Sequence, residues 1–429
     1  MPPSNSKPLR IAVLADSDTR WKWGALTAGR IAPGDPALDG YLLRGRATPT
    51  PRQLAEVGVR ADSLREVTAV EFLRAMGQES YDIVVLALVG GGVQAMLHGL
   101  RRTWQGREKR PVVVTGYVGV VYEKLADGLL LRHGADLVLA NSRQDAERFR
   151  AVYEGVGADA SSVTEVALPF LGGAPHTGET APCTVVFAAQ PSVPDTRRDR
   201  TYLLERLVRH ARLHPEREVL LKLRSKPGEH TTHIEELPYQ KLARKLDPPP
   251  NFRLVYGNMG EVLDRTDLMV TVSSTAALES LHRRIPTVVL TDLGIREALG
   301  NHHFIGSGCL ASWDQLDAGH LPVADEEWVA RQGVAAQGAY DAARERVTKL
   351  LAAQLPPLTP YYTPETAPGY LPGILARHHL APDGTPLPGA PAADKQPGPV
   401  RRIVRRAARG AYRHGVQRVA PVIRRMGDL

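Results

Sequence analysis

Short runs that are apolar at nearly every position punctuate the first part of the chain. They are Arg10-Ile-Ala-Val-Leu-Ala-Asp16, Tyr81 to Leu88, Pro111 to Thr115 and Ala135 to Ala140. A strand with one wet face alternates apolar and polar residues; one covered on both faces does not. Helical stretches lie between these runs, so the pattern predicts a parallel sheet with helices on both sides. Asn141 or Ser142 supplies a cap for a helix beginning at Arg143, with Asp145 in its first turn.

The pattern breaks at Leu171-Gly-Gly-Ala-Pro-His-Thr-Gly-Glu-Thr-Ala-Pro182, which has no period and is dense in breakers. It then restarts. Cys183 to Ala189, Glu218 to Arg224, Phe252 to Tyr256, 267–272 and 286–290 read as strands, and Asp199 to Leu213 reads as a helix. Residues 324–353 predict one or two helices, and Tyr361 to Leu380 a further one that bridges the halves. The expected organisation is a Rossmann-like domain over 1–172, a linker at 173–182, and a second Rossmann-like domain over 183–355. A C-terminal helix at 356–380, a flexible Pro/Gly/Ala tether at 381–400 and a basic amphipathic tail at 401–429 follow. The fold class is α/β, two Rossmann-like domains facing an interdomain cleft. Ligands of such sheets sit beyond the C-terminal strand ends.

Length and charge sharpen this picture. A chain of 429 residues exceeds what one core usually holds. The net charge of +8 is local: residues 401–429 carry nine arginines and one acid, leaving the body near neutral. That argues against a broad nucleic-acid-binding face. Arginine pairs beside Ile403, Val404, Ala407 and Ala408 instead suggest contact with an anionic membrane surface. Two cysteines, Cys183 and Cys309, give no disulfide framework, and no secretory signal opens the chain. The expected setting is cytoplasmic, peripheral to the inner face of the cell membrane.

The most pointed chemistry lies in the strand–Ser273-Ser274-Thr275–helix unit. Hydroxyls and unsatisfied N–H groups at a helix start suit an anion. Glu279, one turn on, suits a sugar or ribose hydroxyl. Gln190 ends the first strand of the second half. Lys222, Arg224 and Lys226 run along and past another strand, placing cations where phosphate charge needs neutralising. His230 is a candidate proton donor, and its partner His233 lacks a third ligand for a metal. In the first half, Asp16-Ser-Asp18 with Trp21 and Trp23 reads as a loop after the first strand. Asp18 and Asp16 are the leading base candidates, and either tryptophan is placed to stack on a sugar or to pin the loop. Glu123, near Tyr117 and Tyr122, is the alternative base. Gly90-Gly91-Gly92 matches no dinucleotide fingerprint and reads as a tight turn. Asn301 to Gly308 reads as a loop able to close over a ligand; its adjacent His302 and His303 are poorly spaced for one ion.

The chain resembles the two-Rossmann-domain (GT-B type) glycosyltransferases. The likeness is to the bacterial capsule and sialic-acid or Kdo-transferring branch and an actinobacterial group related to it. It rests on Ala188-Ala-Gln190-Pro191, on Lys222 to Lys226, and on Ser273-Ser274-Thr275 with Glu279 and Arg283-Arg284-Ile285-Pro286. The resemblance implies that the Ser/Thr helix start grips the donor phosphate. Where the family often carries a His-Pro pair acting on a CMP donor, this chain has Ser225-Lys226-Pro227, leaving CMP, UDP, GDP and dTDP sugars open. The family's N-terminal acidic base has no single match: Asp16, Asp18, Glu123 and Asp127 compete. The implied reaction moves a sugar from a nucleotide-sugar donor to a hydroxyl of an envelope or capsule-type glycan or lipid-linked acceptor. No tightly bound cofactor and no metal are expected. The rivals are a nucleotide-sugar epimerase or hydrolase of the same fold and a non-catalytic nucleotide-sugar-binding protein.

Overall fold

A computed structural model describes residues 8–120, 124–178, 182–226, 229, 235 and 237–389. The described chain forms two compact units, one of residues 8–170 with 331–389 and the other of 171–330. Each is a parallel sheet layered with helices, giving the two Rossmann-like domains of a GT-B-type architecture.

The first unit's strands are β1 (Arg10–Ala15), β2 (Ala37–Leu43), β3 (Ser63–Val67), β4 (Ile83–Ala87), β5 (Val112–Gly116), β6 (Leu137–Ala140) and β7 (Val163–Glu165). They lie in the order β3-β2-β1-β4-β5-β6-β7, every pairing parallel. β1, β4, β5 and β6 are the continuous apolar runs, and they occupy the centre, buried on both faces. β2, β3 and β7 do not stand out as apolar runs, because they keep exposed or half-exposed positions.

The expected loop after β1 is a helix, Asp18–Ile31. Ser17 caps it, its Oγ accepting the Arg20 N–H at 3.4 Å, with Asp18 in the acid-favouring first turn. Trp21 and Trp23, each 1% exposed, are core residues of this helix and are not available to stack on a sugar. Gly90-Gly91-Gly92 likewise opens a helix, Gly90–Thr103, rather than a turn. A Cβ at Gly90 would meet Leu131 at 2.9 Å, so glycine lets this helix start sit close against its neighbours.

The second unit contains β8 (Thr184–Ala188), β9 (Glu218–Lys222), β10 (Phe252–Val255), β11 (Leu268–Thr271), β12 (Thr287–Leu290) and β13 (Leu310–Ala311). Their order is β10-β9-β8-β11-β12-β13, again all parallel. β13, two residues long, carries too little pattern to be read from sequence. The segment after Phe170 is fastened to this unit: the His176 N–H donates to the Arg283 carbonyl at 2.6 Å, and His176 Nε2 lies 2.9 Å from Asp267 Oδ1.

After residue 330 the chain rejoins the first unit. Tyr340 Oη donates to the Ala167 carbonyl at 2.5 Å and Arg344 Nη1 to that of Arg30 at 3.0 Å, securing the helix Asp341–Ala352. The helix Leu371–Ala376 packs on Gly90–Thr103, with Leu371 and Leu375 in the first unit's core. Gln94 and His98 both hold the Tyr362 carbonyl, at 3.0 and 2.9 Å. The sequence boundary at 355 thus differs from the structural one at 330. Helical periodicity shows that a segment has an apolar face, but not which sheet it covers. No helix among the described residues is long and apolar enough to cross a membrane.

Candidate functional site

In the second unit the segments following β9, β8 and β11 leave three adjacent strand ends at one edge. They carry Arg224 and Lys226, Gln190, and Ser273 to Thr275 respectively. The three hydroxyl residues there take different roles. Ser273 is 3% exposed. Its Oγ lies 2.5 Å from the Leu299 carbonyl and 3.1 Å from Gln190 Nε2, and its N–H donates to Gln190 Oε1 at 3.0 Å. Ser273 and Gln190 therefore brace two loops against each other. Ser274 and Thr275 are half-buried.

The helix start differs from the expected array of open N–H groups. Ser274 Oγ accepts the Ala276 N–H at 3.2 Å, while Ala277 and Leu278 donate to the Ser274 and Thr275 carbonyls, each at 3.0 Å. The helix, Ala276–His282, has seven residues, so its dipole is small. Any anion held here is held mainly by side chains. Glu279 is buried within this helix.

β9 ends at Lys222, two residues short of the strand expected to reach Arg224. Lys222 is buried, and its Nζ donates to the Leu223 carbonyl at 2.9 Å. Arg224 is half-buried and Lys226 exposed, with Lys226 Nζ 5.6 Å from the Tyr256 ring centroid. Gln240 fixes this cationic segment by donating to the Ser225 carbonyl at 2.9 Å. His230 and His233 lie outside the described residues.

Arg200 is a residue that sequence reasoning missed. It lies on the helix Arg197–Leu213 and is 1% exposed. Its Nη1 faces the carbonyls of Gln190, Pro191 and Pro194 at 3.4, 3.0 and 3.1 Å. Its Nη2 pairs with Glu235 Oε1 at 2.9 Å, and its guanidinium stands 4.2 Å from the Tyr239 ring centroid. One buried cation thus shapes the loop that presents Gln190 to Ser273. In sequence it is one arginine among several on an amphipathic helix.

The loop around Asn301 is tied down. Asn301 Nδ2 donates to the Leu290 and Gly294 carbonyls at 3.2 and 2.8 Å, and its Oδ1 accepts the Arg296 N–H at 2.9 Å. His302 is exposed and His303 buried.

In the first unit the corresponding edge follows β1, β4, β5 and β6. Asp16 uses both carboxylate oxygens: Oδ1 pairs with Arg20 at 2.9 Å and Oδ2 accepts the Val89 N–H at 3.0 Å. Asp18 is buried and its Oδ1 accepts the Thr19 N–H at 2.8 Å. Both leading base candidates are engaged in building the edge. Asp127 accepts from the Tyr362 and Tyr370 phenols, each at 3.0 Å. Tyr117 stands under Arg132, with the guanidinium 3.9 Å from its ring centroid. Glu123 and Tyr122 lie outside the described residues. His378 comes from the far end of the chain to this same edge: a Cβ at Gly92 would lie 3.8 Å from its Cε1.

Among the described residues, one His/His/Asp group has the spacing for a metal: His210, His214 and Asp317, with ligand atoms within 4.8 Å of one another. His210 Nδ1 already pairs with Asp317 at 2.8 Å. Arg206 meets Asp317 at 3.2 Å and Arg217 approaches His210 Nε2 at 3.5 Å. Two cations beside the cluster oppose a divalent ion, while burial lowers the His210 pKa and so favours its neutral form. The helix carrying His210 runs from the end of β8 back towards the start of β9, so the cluster lies at the opposite edge from Ser274.

A family model described as "Putative glycosyltransferase (DUF6716)" matches residues 11–350. No curated protein matches the chain. Among solved structures, a "putative UDP-N-acetylglucosamine 2-epimerase" of Listeria monocytogenes is 12% identical with a TM-score of 0.50, covering 81% of this chain and 96% of its own. S. aureus MnaA with UDP is 12% identical, TM-score 0.49, covering 82% and 100%. Anabaena HepE in complex with UDP-glucose is 12% identical, TM-score 0.45, covering 80% and 97%. At such identity the Listeria likeness is one of fold.

Proposed function

We propose, from the premise that the chain belongs to the DUF6716 family of putative glycosyltransferases, that it moves a sugar from a nucleotide-sugar donor to an acceptor hydroxyl. The second unit takes the donor and the first the acceptor. The supporting observation is the second unit's edge, where two half-buried hydroxyl residues share adjacent strand ends with two cationic side chains. Ser274 and Thr275 hydrogen-bond the donor phosphates, and Arg224 and Lys226 neutralise the charge that grows as the glycosidic bond breaks. Ser273 and Gln190 hold the turn in shape rather than touching the donor, and Lys222 supports the strand end. Glu279 helps to order the short helix behind the turn. These side chains supply the neutralisation without a metal ion. Within the family-level resemblance, an envelope or capsule-type glycan or a lipid-linked acceptor fits best. The arginine-rich tail at 401–429 lies outside the described residues, and its charge suits an anionic membrane beside such an acceptor.

A second reading, epimerisation or hydrolysis of a UDP-sugar without an acceptor, is favoured by the fold shared with the Listeria protein. The full chain, incubated with UDP-, GDP-, CMP- and dTDP-sugars with and without acceptor extract, separates the two. Sugar recovered on acceptor supports transfer. An altered or freed sugar formed equally well from donor alone refutes it in favour of the second reading.

A further inference from the structure

On the transfer reading the first unit's edge needs a base; of the four carboxylates expected to compete for that role, Glu123 lies outside the described residues, Asp127 meets the Tyr362 and Tyr370 phenols, and the two leading ones are engaged. Asp16 is divided between Arg20 and the Val89 N–H, and Asp18 is buried in the first turn of its helix. Val89 precedes the helix Gly90–Thr103, so Asp16 meets that helix at its start. His378 meets the same first turn at Gly92. It is delivered by the segment after the helix Leu371–Ala376, which is packed through Ile374 near Gly91 and tied through Tyr362 to Gln94 and His98. His378 is half-buried, and no hydrogen bond occupies its ring nitrogens among the described residues. The backbone N–H of His378 is bonded to the Leu375 carbonyl at 2.9 Å, which fixes where the ring begins.

We infer that His378 is the catalytic base that takes the proton from the acceptor hydroxyl. The inference rests on the transfer reading and assigns that reaction its base. The imidazole accepts the hydroxyl proton, and the acceptor oxygen forms a bond to the anomeric carbon. The bond from that carbon to the donor phosphate oxygen breaks, and its electron pair leaves with the nucleotide.

The electrostatic surroundings keep the ring neutral before reaction. Burial lowers the His378 pKa most, Arg377 and His379 on its own segment lower it further, and Asp16 opposes them. Arg20, paired with Asp16, moderates that opposition. The positive end of the helix Gly90–Thr103 also disfavours an imidazolium. Once the proton arrives, the nearby Asp16 carboxylate stabilises the cation, as a base needs.

The experiment compares the full chain with His378→Gln and His378→Ala, measuring sugar transferred to acceptor, donor affinity and thermal midpoint. His378→Gln is expected to lower kcat by about 10²–10⁴-fold with donor affinity unchanged, and to remove the acid limb of the kcat profile. Added imidazole restores part of the rate in His378→Ala, which a packing role would not allow. Wild-type turnover in His378→Gln overturns the assignment of His378 and leaves transfer standing. A wild-type protein that never places sugar on acceptor overturns the transfer reading and, with it, this base. Should both variants unfold, the native profile in added organic co-solvent decides: an acid limb whose midpoint does not rise marks a cationic acid such as imidazolium and supports His378, while a flat acid side, or a midpoint that rises as a carboxylic acid's does, overturns it.

Discussion

Replacing Arg200 with methionine tests whether a buried cation shapes the donor edge. The substitution keeps an unbranched apolar stem but removes the guanidinium. It leaves the Glu235 carboxylate, whose side chain is 8% exposed, without its 2.9 Å partner. It also strips the Pro191 and Pro194 carbonyls of donors at 3.0 and 3.1 Å. Removing one member of a buried ion pair costs about 3–5 kcal/mol, and the loss of the two carbonyl contacts overlaps with that cost rather than adding to it. Arg200→Met should therefore destabilise the second unit by about 3–5 kcal/mol. Adding Glu235→Gln removes the carboxylate charge that Arg200 neutralised and should recover about 1–3 kcal/mol, a coupling of the size expected for contacting residues. Hydrogen exchange read on β8 and β9 reports this unit separately, which a two-domain chain requires because its unfolding is not one transition. Donor affinity should fall with the loss of the Gln190 loop. A loss under about 1 kcal/mol, with donor affinity intact, would show that Arg200 is not the clamp.

Three further outcomes follow from the same geometry. Ser274→Ala combined with Thr275→Ala should weaken donor binding about tenfold or more, the scale of a lost hydrogen bond to a charged group, with the fold intact; equal affinity by calorimetry counts against the phosphate assignment. A Cβ at Gly116 would lie 2.8 Å from Trp23 Cζ2 and 2.9 Å from the Leu139 carbonyl, so Gly116→Ala should cost about 1–3 kcal/mol, visible as a lower thermal midpoint. Burial lowers the pKa of His98 beyond what its contact with the Tyr362 carbonyl restores. Its folded pKa then lies below the unfolded value, so its contribution is complete above about pH 6.5 and declines as pH falls towards the folded pKa. His98→Gln should flatten that acid-side loss in the first unit, and an unchanged slope in a denaturation series would contradict it.

The fold was legible where burial was two-sided. β1, β4, β5, β6, β8 and β11 are apolar at nearly every position because helices cover both faces, and their ends were placed within a residue or two. β2, β3 and β7 were not, since they keep exposed or half-exposed positions and read as loop, and β13 was too short to carry a pattern. Asp16 to Gly24 read as loop for a different reason. Two acids and two tryptophans look like a site, yet Ser17 caps a helix there and the tryptophans turn inward.

The grouping of the proposed donor residues was legible at the second unit's edge, because strand order is enough to bring Gln190, Arg224, Lys226 and Ser273 to Thr275 to adjacent strand ends. Which of them brace the turn was not. Ser273 and Ser274 are identical in sequence terms, but Ser273 is 3% exposed and spent on Gln190 and Leu299, while Ser274 is half-buried. That difference is set by contacts from residues 83 and 26 positions away, which no local pattern encodes. His378 follows the same logic at greater range. It reaches the edge built by Asp16 and Gly92 only because the chain rejoins the first unit after residue 330. A segment placed by sequence in a second domain or a bridge would never be searched for a base belonging to the first. Asp16 and Asp18, the leading carboxylates, are engaged at the edge, and His378, whose ring nitrogens carry no hydrogen bond among the described residues, is the group a local reading had no reason to consider.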